Sequence, residues 1–181
     1  MQSESVKILL TGLPGCGKTT AVMNILARLD CKQAAGFYTQ EIRQKGARKG
    51  FRWKSLDGAE GILAHVDIKG ARRVSRYGVD VAGFEKSVVP ILDIDRPGAK
   101  LFVVDEIGKM ECFSEKFAAA INRLFDSDRA VLATVAQKGA GLIADVKTHP
   151  AAKLFELTRQ NRDETVGEVL QMLSYLNRPL G

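Results

Sequence analysis

The segment Gly12-Leu13-Pro14-Gly15-Cys16-Gly17-Lys18-Thr19 constrains the fold of this chain more than any other. Glycines at 12, 15 and 17 let the backbone curl so that successive N–H groups face inward toward phosphate oxygens. Lys18 then reaches the β- and γ-phosphates of a nucleoside triphosphate, and the Thr19 hydroxyl meets a Mg²⁺ ion. Leu13, Pro14 and Cys16 are the variable positions and are assigned only spacing and packing. Such a loop needs a buried strand before it and a helix N-terminus after it, so that the positive end of the helix faces the anion. Both neighbours can be read. Val6-Lys7-Ile8-Leu9-Leu10 is a nearly continuous apolar run, as in a central strand covered on both faces. After Lys18, apolar residues at Val22, Ile25, Leu26 and Leu29 make the stripe of an amphipathic helix.

Strands and helices alternate beyond the loop. Residues 34–39 read as a second strand, and residues 51–56 and 61–66, around an Asp57-Gly58 turn, read as a hairpin. A helix is expected over residues 84–92, after which Asp95, Pro97 and Gly98 break the chain before a strand at 101–104. Ser114 can cap a helix whose buried stripe is Phe117, Ile121, Leu124 and Phe125, and residues 130–135 form the next strand. A shorter strand at 154–157 precedes a last helix, capped by Asp163, with Val166, Val169, Leu170 and Leu173 on one face. This alternation predicts an α/β domain with a largely parallel sheet.

Composition adds limits. With 181 residues and 45% hydrophobic content, one domain spanning 1–181 is expected. No run approaches the roughly 18 apolar residues of a membrane span, and Met1 to Ser5 is polar, so a cytoplasmic protein without a membrane partner is expected. Cys16, Cys31 and Cys112 are odd in number and lack CxxC spacing, which points to reduced thiols. His65 and His149 stand alone, without ligand partners at metal spacing.

An aspartate at the end of a later apolar strand completes the Mg²⁺ site beside a phosphate loop, and Asp105 fits that place. Glu106 follows it directly, where a carboxylate can hold a water in line with the γ-phosphorus. The nucleotide-binding set is therefore expected to join the loop and Thr20 to Leu101, Phe102, Val103, Val104, Asp105, Glu106, Ile107 and Gly108, with Thr19 and Asp105 on the metal.

The run Val103-Val104-Asp105-Glu106-Ile107-Gly108-Lys109-Met110-Glu111 is more particular than a generic metal-binding strand. With Gly36-Phe37-Tyr38-Thr39-Gln40-Glu41-Ile42-Arg43, Arg76-Tyr77-Gly78-Val79-Asp80 and Leu157-Thr158-Arg159-Gln160-Asn161-Arg162-Asp163, it resembles the small nucleoside-triphosphatases known from thermophiles and from humans. The resemblance runs nearly full length. It implies a three-layer, RecA-like P-loop fold with helices on both faces and an extra strand between the phosphate-loop and metal strands. It also implies Mg²⁺-dependent hydrolysis of several triphosphates, ATP and GTP among them, to diphosphate and phosphate. Two departures fall near the expected cleft: Gln40 stands where family sequences usually carry Glu, and Ala136 where proline is common.

Further roles follow from chemistry at these motifs. Thr39, Glu41 and Arg43 can form a γ-phosphate sensor, although a surface ion pair reads equally well. Lys109 can neutralise phosphate charge, with Glu111 fixing Lys109 or Arg43. Asn161 and Arg162 can contact the base, through donor and acceptor groups and by stacking.

The formal charge of +6 is concentrated. Between Arg43 and Arg76, ten Lys/Arg face three acids, within a hairpin insertion at about 43–80. Arg72, Arg73 and Arg76 are candidates for meeting transition-state charge, and Arg76 is counted with Glu106, Lys18 and Lys109 as catalytic. The same segment interleaves Phe51 and Trp53 with Arg48, Lys49, Arg52 and Lys54, which leaves open a nucleic-acid surface, ranked below a solvated face. A small-molecule or nucleoside kinase is the main alternative to a hydrolase, and a nucleotide-dependent RNA or DNA binder the second. A monomer acting on ATP or GTP is the expectation carried forward.

Overall fold

The computed structural model describes residues 6–29 and 32–177; Cys31 and the polar Met1 to Ser5 lie outside them. In chain order the elements are β1 (Lys7–Thr11), α1 (Lys18–Leu29), β2 (Ala34–Gln44), β3 (Ala47–Ser55), β4 (Glu60–His65), β5 (Arg73–Val74), β6 (Tyr77–Val79) and α2 (Val81–Val88). They continue with β7 (Leu101–Ile107), α3 (Glu115–Asp126), β8 (Ala130–Val135), α4 (Leu142–Thr148), β9 (Ala152–Glu156) and α5 (Arg162–Leu173). The nine strands of the described residues form one sheet in the order β5-β6-β4-β3-β2-β7-β8-β1-β9. Pairing is parallel from β2 through β7, β8 and β1 to β9, and antiparallel from β2 outward to β5.

Strand alternation divides the core into two layers. Ile8, Leu10, Leu101, Val103 and Leu132 face one side, where α1 and α5 cover them with Val22, Ile25, Val166 and Val169. Leu9, Phe102, Val104, Val131 and Ala133 face the other, against Phe84 of α2, Phe117 and Ile121 of α3 and Val146 of α4. Burial on both faces is why these strands read as unbroken apolar runs. The result is the three-layer α/β P-loop arrangement, with β8 inserted between β1 and β7. No helix among the described residues is long and apolar enough to cross a membrane.

Several boundaries differ from the sequence reading, each for a local reason. β2 extends to Gln44 because its polar end is held by pairing with β3 rather than by burial. The helix expected at 84–92 begins at Val81, capped by Asp80 Oδ1 accepting from Gly83 N at 2.9 Å. Its second half, Val89–Leu92, tightens to a 3₁₀ turn at Pro90, which lacks the N–H an α-helix needs. The cap of α5 is Asn161, and Asp163 lies in the first turn, where its charge suits the helix dipole. α4 was not foreseen, since its seven residues are too short for a stripe to stand out. The strand expected at 154–157 is β9 at Ala152–Glu156, and Leu157 N donates to Thr11 O at 2.7 Å beyond it.

Candidate active site

The phosphate loop joins β1 to α1 at the carboxyl end of the parallel strands. Gly12 has φ 151°, and a side chain there is barred: a Cβ would lie 2.5 Å from Leu157 O and 2.9 Å from Cys16 Sγ. This gives Cys16 its packing role, since its buried sulfur fills the space under the turn. Pro14, Gly15, Gly17, Lys18, Thr19 and Thr20 line a cavity of about 620 Å³, whereas Leu13 points away and is 64% exposed. Lys18 Nζ donates to Gly12 O at 3.1 Å and to Leu13 O at 3.4 Å, which keeps its ammonium at the mouth of the loop.

β7 ends one strand removed from β1 and brings Asp105 to the loop. Asp105 Oδ2 accepts from Thr19 Oγ1 at 2.7 Å and lies 3.5 Å from Thr39 N, while Oδ1 accepts from Thr134 Oγ1 at 2.5 Å. Burial pushes the Asp105 carboxyl above the usual range, and the two threonine hydroxyls push back. Thr134 was missed by sequence reasoning; its signal was a hydroxyl inside the apolar run of β8, where it is fully buried. Thr19 and Asp105 together offer hard oxygens suited to a small divalent cation. Among the described residues no three His, Cys, Asp or Glu side chains gather to cage a metal by themselves, so such an ion would need phosphate oxygens and water as well.

Glu106 lines the same cavity beside Lys18. Burial raises its carboxyl, with the Lys18 charge opposing and the Asp105 charge adding to the rise. Glu111 lies close by: a Cβ at Gly108 would meet Glu111 Oε2 at 3.0 Å and Glu106 Oε1 at 3.3 Å. Glu111 is pushed up to about 8, first by burial and then by the Glu106 charge, which favours its protonated form. Burial likewise pushes the Cys112 thiol up to about 12, leaving it unreactive.

The expected site residues separate into groups. Thr39, Glu41, Glu106, Gly108, Lys109 and Glu111 line the cavity, as do Gln40 and Ala136, the two positions that depart from the family pattern. Leu101, Phe102, Val103, Val104 and Ile107 do not: all are 0% exposed, and their side chains hold the strand in the core. Arg43 turns aside to Glu41 at 2.7 Å and to Gly46 O at 2.9 Å. Asn161 closes its own loop, with Oδ1 accepting from Thr158 N at 2.8 Å and Nδ2 donating to Glu156 O at 2.9 Å, so the groups meant for a base are engaged. Arg162 lies against Gly17, with Nη1 3.0 Å from the position of a Cβ there, and its buried Nε has no hydrogen-bond partner among the described residues.

Arg76 is also displaced from the role expected of it. Its Nη2 donates to Arg48 O at 2.7 Å and to the Tyr77 hydroxyl at 3.2 Å, and it does not line the cavity. Arg72 stacks on Phe113, and Arg73 donates to the carbonyls of Ile68 and Arg76. The arginine that does line the cavity is Arg48, which the sequence suggested only as part of a basic face. The nucleic-acid reading loses its main aromatic, because Trp53 is 5% exposed and packed in the core. Arg52 and Lys54 both pair with Glu60.

The chain as a whole is similar to one family of known proteins. The profile of the NTPase family matches residues 7–170. The nucleoside-triphosphatase THEP1 of Thermotoga petrophila is 40% identical over 170 residues, covering 94% of each chain. The human cancer-related nucleoside-triphosphatase is 34% identical, covering 90% of this chain and 94% of its own. In structure, the crystal form of THEP1 from Aquifex aeolicus superposes with a TM-score of 0.84 at 37% identity, over 96% of this chain and all of its own.

Proposed function

The chain belongs to this nucleoside-triphosphatase family and is a nucleoside-triphosphatase, and from that premise we propose that it hydrolyses ATP, GTP and related triphosphates with Mg²⁺, by attack of water on the γ-phosphorus. The observation that carries the proposal is the 2.7 Å bond from Thr19 to Asp105 at the start of α1, with Glu106 on the wall of the same cavity.

Each residue has a definite task. The loop amides and the N-terminus of α1 bind the phosphates, and Lys18 places its charge on the β- and γ-oxygens. Thr19 and Asp105 would hold Mg²⁺, which when bound neutralises and aligns the phosphate oxygens. Thr134 keeps Asp105 turned toward Thr19 by occupying its other oxygen. Glu106, as a carboxylate, accepts a proton from water as the new O–P bond forms and the bond to the β-phosphate oxygen breaks. Nucleoside diphosphate and phosphate leave. Burial favours the protonated form of Glu111 beside Glu106, which limits the negative charge on this side of the cavity.

The core and the arm at about 43–80 act as one domain in this reading, since a single sheet runs through both. The test is Glu106→Gln, followed by phosphate release and by binding of a fluorescent triphosphate. Hydrolysis is expected to fall by about 10² to 10⁴, with triphosphate affinity kept within about threefold. Hydrolysis at near wild-type rate would remove Glu106 from the mechanism. Label moving from γ-labelled ATP to an organic acceptor, rather than to free phosphate, would favour a kinase.

A further inference from the structure

Of the basic residues between 43 and 76, Arg48 alone lines the cavity that also holds Lys18 and Glu106. It sits on β3 near the tip of the β2–β3 hairpin, paired across the strands with Arg43. The register shifts there: Ile42 faces Gly50 and Arg43 faces Arg48, so Lys49 is an extra residue. Such a bulge bends a strand and redirects its side chains.

The guanidinium is held before any ligand arrives. Nε donates to the Tyr77 hydroxyl at 3.0 Å and Nη1 to Glu41 Oε1 at 2.8 Å. Its carbon lies 5.3 Å from the centre of the Phe51 ring and 5.8 Å from that of Tyr77. Arg76 braces the arrangement from behind, through the Arg48 carbonyl and the Tyr77 hydroxyl. Nη2 makes no hydrogen bond among the described residues. In sheet order the cavity wall runs from the loop past Glu106 on β7 and Thr39 on β2 to Arg48 on β3, so Arg48 stands on the far side of Glu106 from the strand that leads into the loop.

We propose that Arg48 is a catalytic residue that supplies, within this chain, the positive charge met by the γ-phosphate oxygens as the bond to the diphosphate breaks. Glu41 and Tyr77 are positioning residues that fix two of its three nitrogens and leave the third for phosphate. Turnover then needs no arginine from a second protein, which makes this a self-sufficient hydrolase rather than a switch awaiting an activator. The inference rests on the hydrolase reading of the cavity. An arginine in this role is worth about 10³ to 10⁵ in rate in other P-loop enzymes. Arg48 is 43% exposed and shares its charge with Glu41, so the low end or somewhat less is expected here.

The experiment measures steady-state ATP hydrolysis by the full chain, by Arg48→Ala and Arg48→Lys, and by Lys18→Ala as the control for the site. Melting of each variant reports folding, and binding of ADP with aluminium fluoride reports affinity for a transition-state mimic. For Arg48→Ala the expected result is a kcat lower by about 10² to 10³ with KM within about threefold, and a matching loss of affinity for the mimic. Added guanidinium should restore part of kcat to Arg48→Ala and none to Lys18→Ala. Arg48→Lys keeps the stem packed but loses the planar fork, and should remain at least about tenfold slow. If both Arg48 variants keep kcat within about threefold while Lys18→Ala is inactive, the inference fails and the hydrolase reading stands. Loss of kcat together with folding, without rescue by guanidinium, also overturns it. If Lys18→Ala still hydrolyses ATP, the hydrolase reading of the cavity fails first.

Discussion

Strands β1 and β8 bury every residue and β7 all but Glu106, whereas β3 and β4 leave most of theirs half-buried or exposed. The two halves of the sheet contribute to one cavity in different ways. The parallel half supplies Lys18 and Thr19 from the start of α1 and Asp105 and Glu106 from β7, all set on strands with a core on both faces. The antiparallel half supplies Arg48 and Phe51 from a hairpin whose outer charges pair with each other. Groups that hold phosphate and metal thus stand on the half buried on both faces, while on the arm Arg48 is held by polar contacts to Tyr77 and Glu41. If this division is right, perturbing the core should change stability or metal affinity, and perturbing the arm should change rate alone.

The largest effect is expected from Glu111, buried in the 3₁₀ turn that follows β7. Its carboxyl is raised to about 8 in the folded chain, so the native state binds one more proton than the unfolded state between about pH 4.5 and 8. Stability from this group is therefore full below the unfolded value and is lost as pH rises through 8. A shift of this size corresponds to at most about 5 kcal/mol across that window. Glu111→Gln should remove the decline, and chemical denaturation of both proteins at several pH values checks it. Parallel stability curves would show that Glu111 is ionised in the fold, which would place a second negative charge beside Glu106.

The next effect tests how the parallel half holds its metal-binding oxygens. Thr134→Val keeps shape and removes the hydroxyl that donates to Asp105 Oδ1. Outer partners of this kind change metal affinity or activity by about 10- to 100-fold when removed. The Mg²⁺ concentration for half-maximal hydrolysis should rise by that factor, with the saturated rate less affected. An unchanged Mg²⁺ titration would mean that Asp105 is held by Thr19 and its strand alone.

The same division explains what could be read in the sequence. Asp105 and Glu106 were legible because a strand buried on both faces writes its end as a switch from apolar to acidic residues. The loop was legible because Gly12 has no substitute where Leu157 O and Cys16 Sγ leave no room for a Cβ. Leu101 to Val104 share the apolar run that leads into Asp105, and their alternating side chains all enter the core. Arg48 and Arg76 carry the same charge on the same arm. What separates them is cross-strand register and a bulge after Ile42, neither of which composition or periodicity records. Thr134 was hidden for the opposite reason, since one hydroxyl in an apolar strand reads as packing until its partner is known.

The smallest effect should come from Arg76, the arginine the sequence favoured. Its guanidinium is committed to the Arg48 carbonyl and the Tyr77 hydroxyl and stacks on the Tyr77 ring at 5.3 Å. Arg76→Ala removes a brace from an exposed part of the arm, where single contacts contribute on the order of 1 kcal/mol or less. Arg48 keeps its own bonds to Glu41 and Tyr77 after that change, so kcat should fall by no more than about threefold. Measuring kcat for Arg76→Ala beside Arg48→Ala separates bracing from contact with phosphate. Equal losses in the two would mean that the arm works as a unit and that its charge cannot be assigned to one side chain. A larger loss for Arg76→Ala would mean that the arm rearranges when nucleotide binds, exchanging the places of the two arginines.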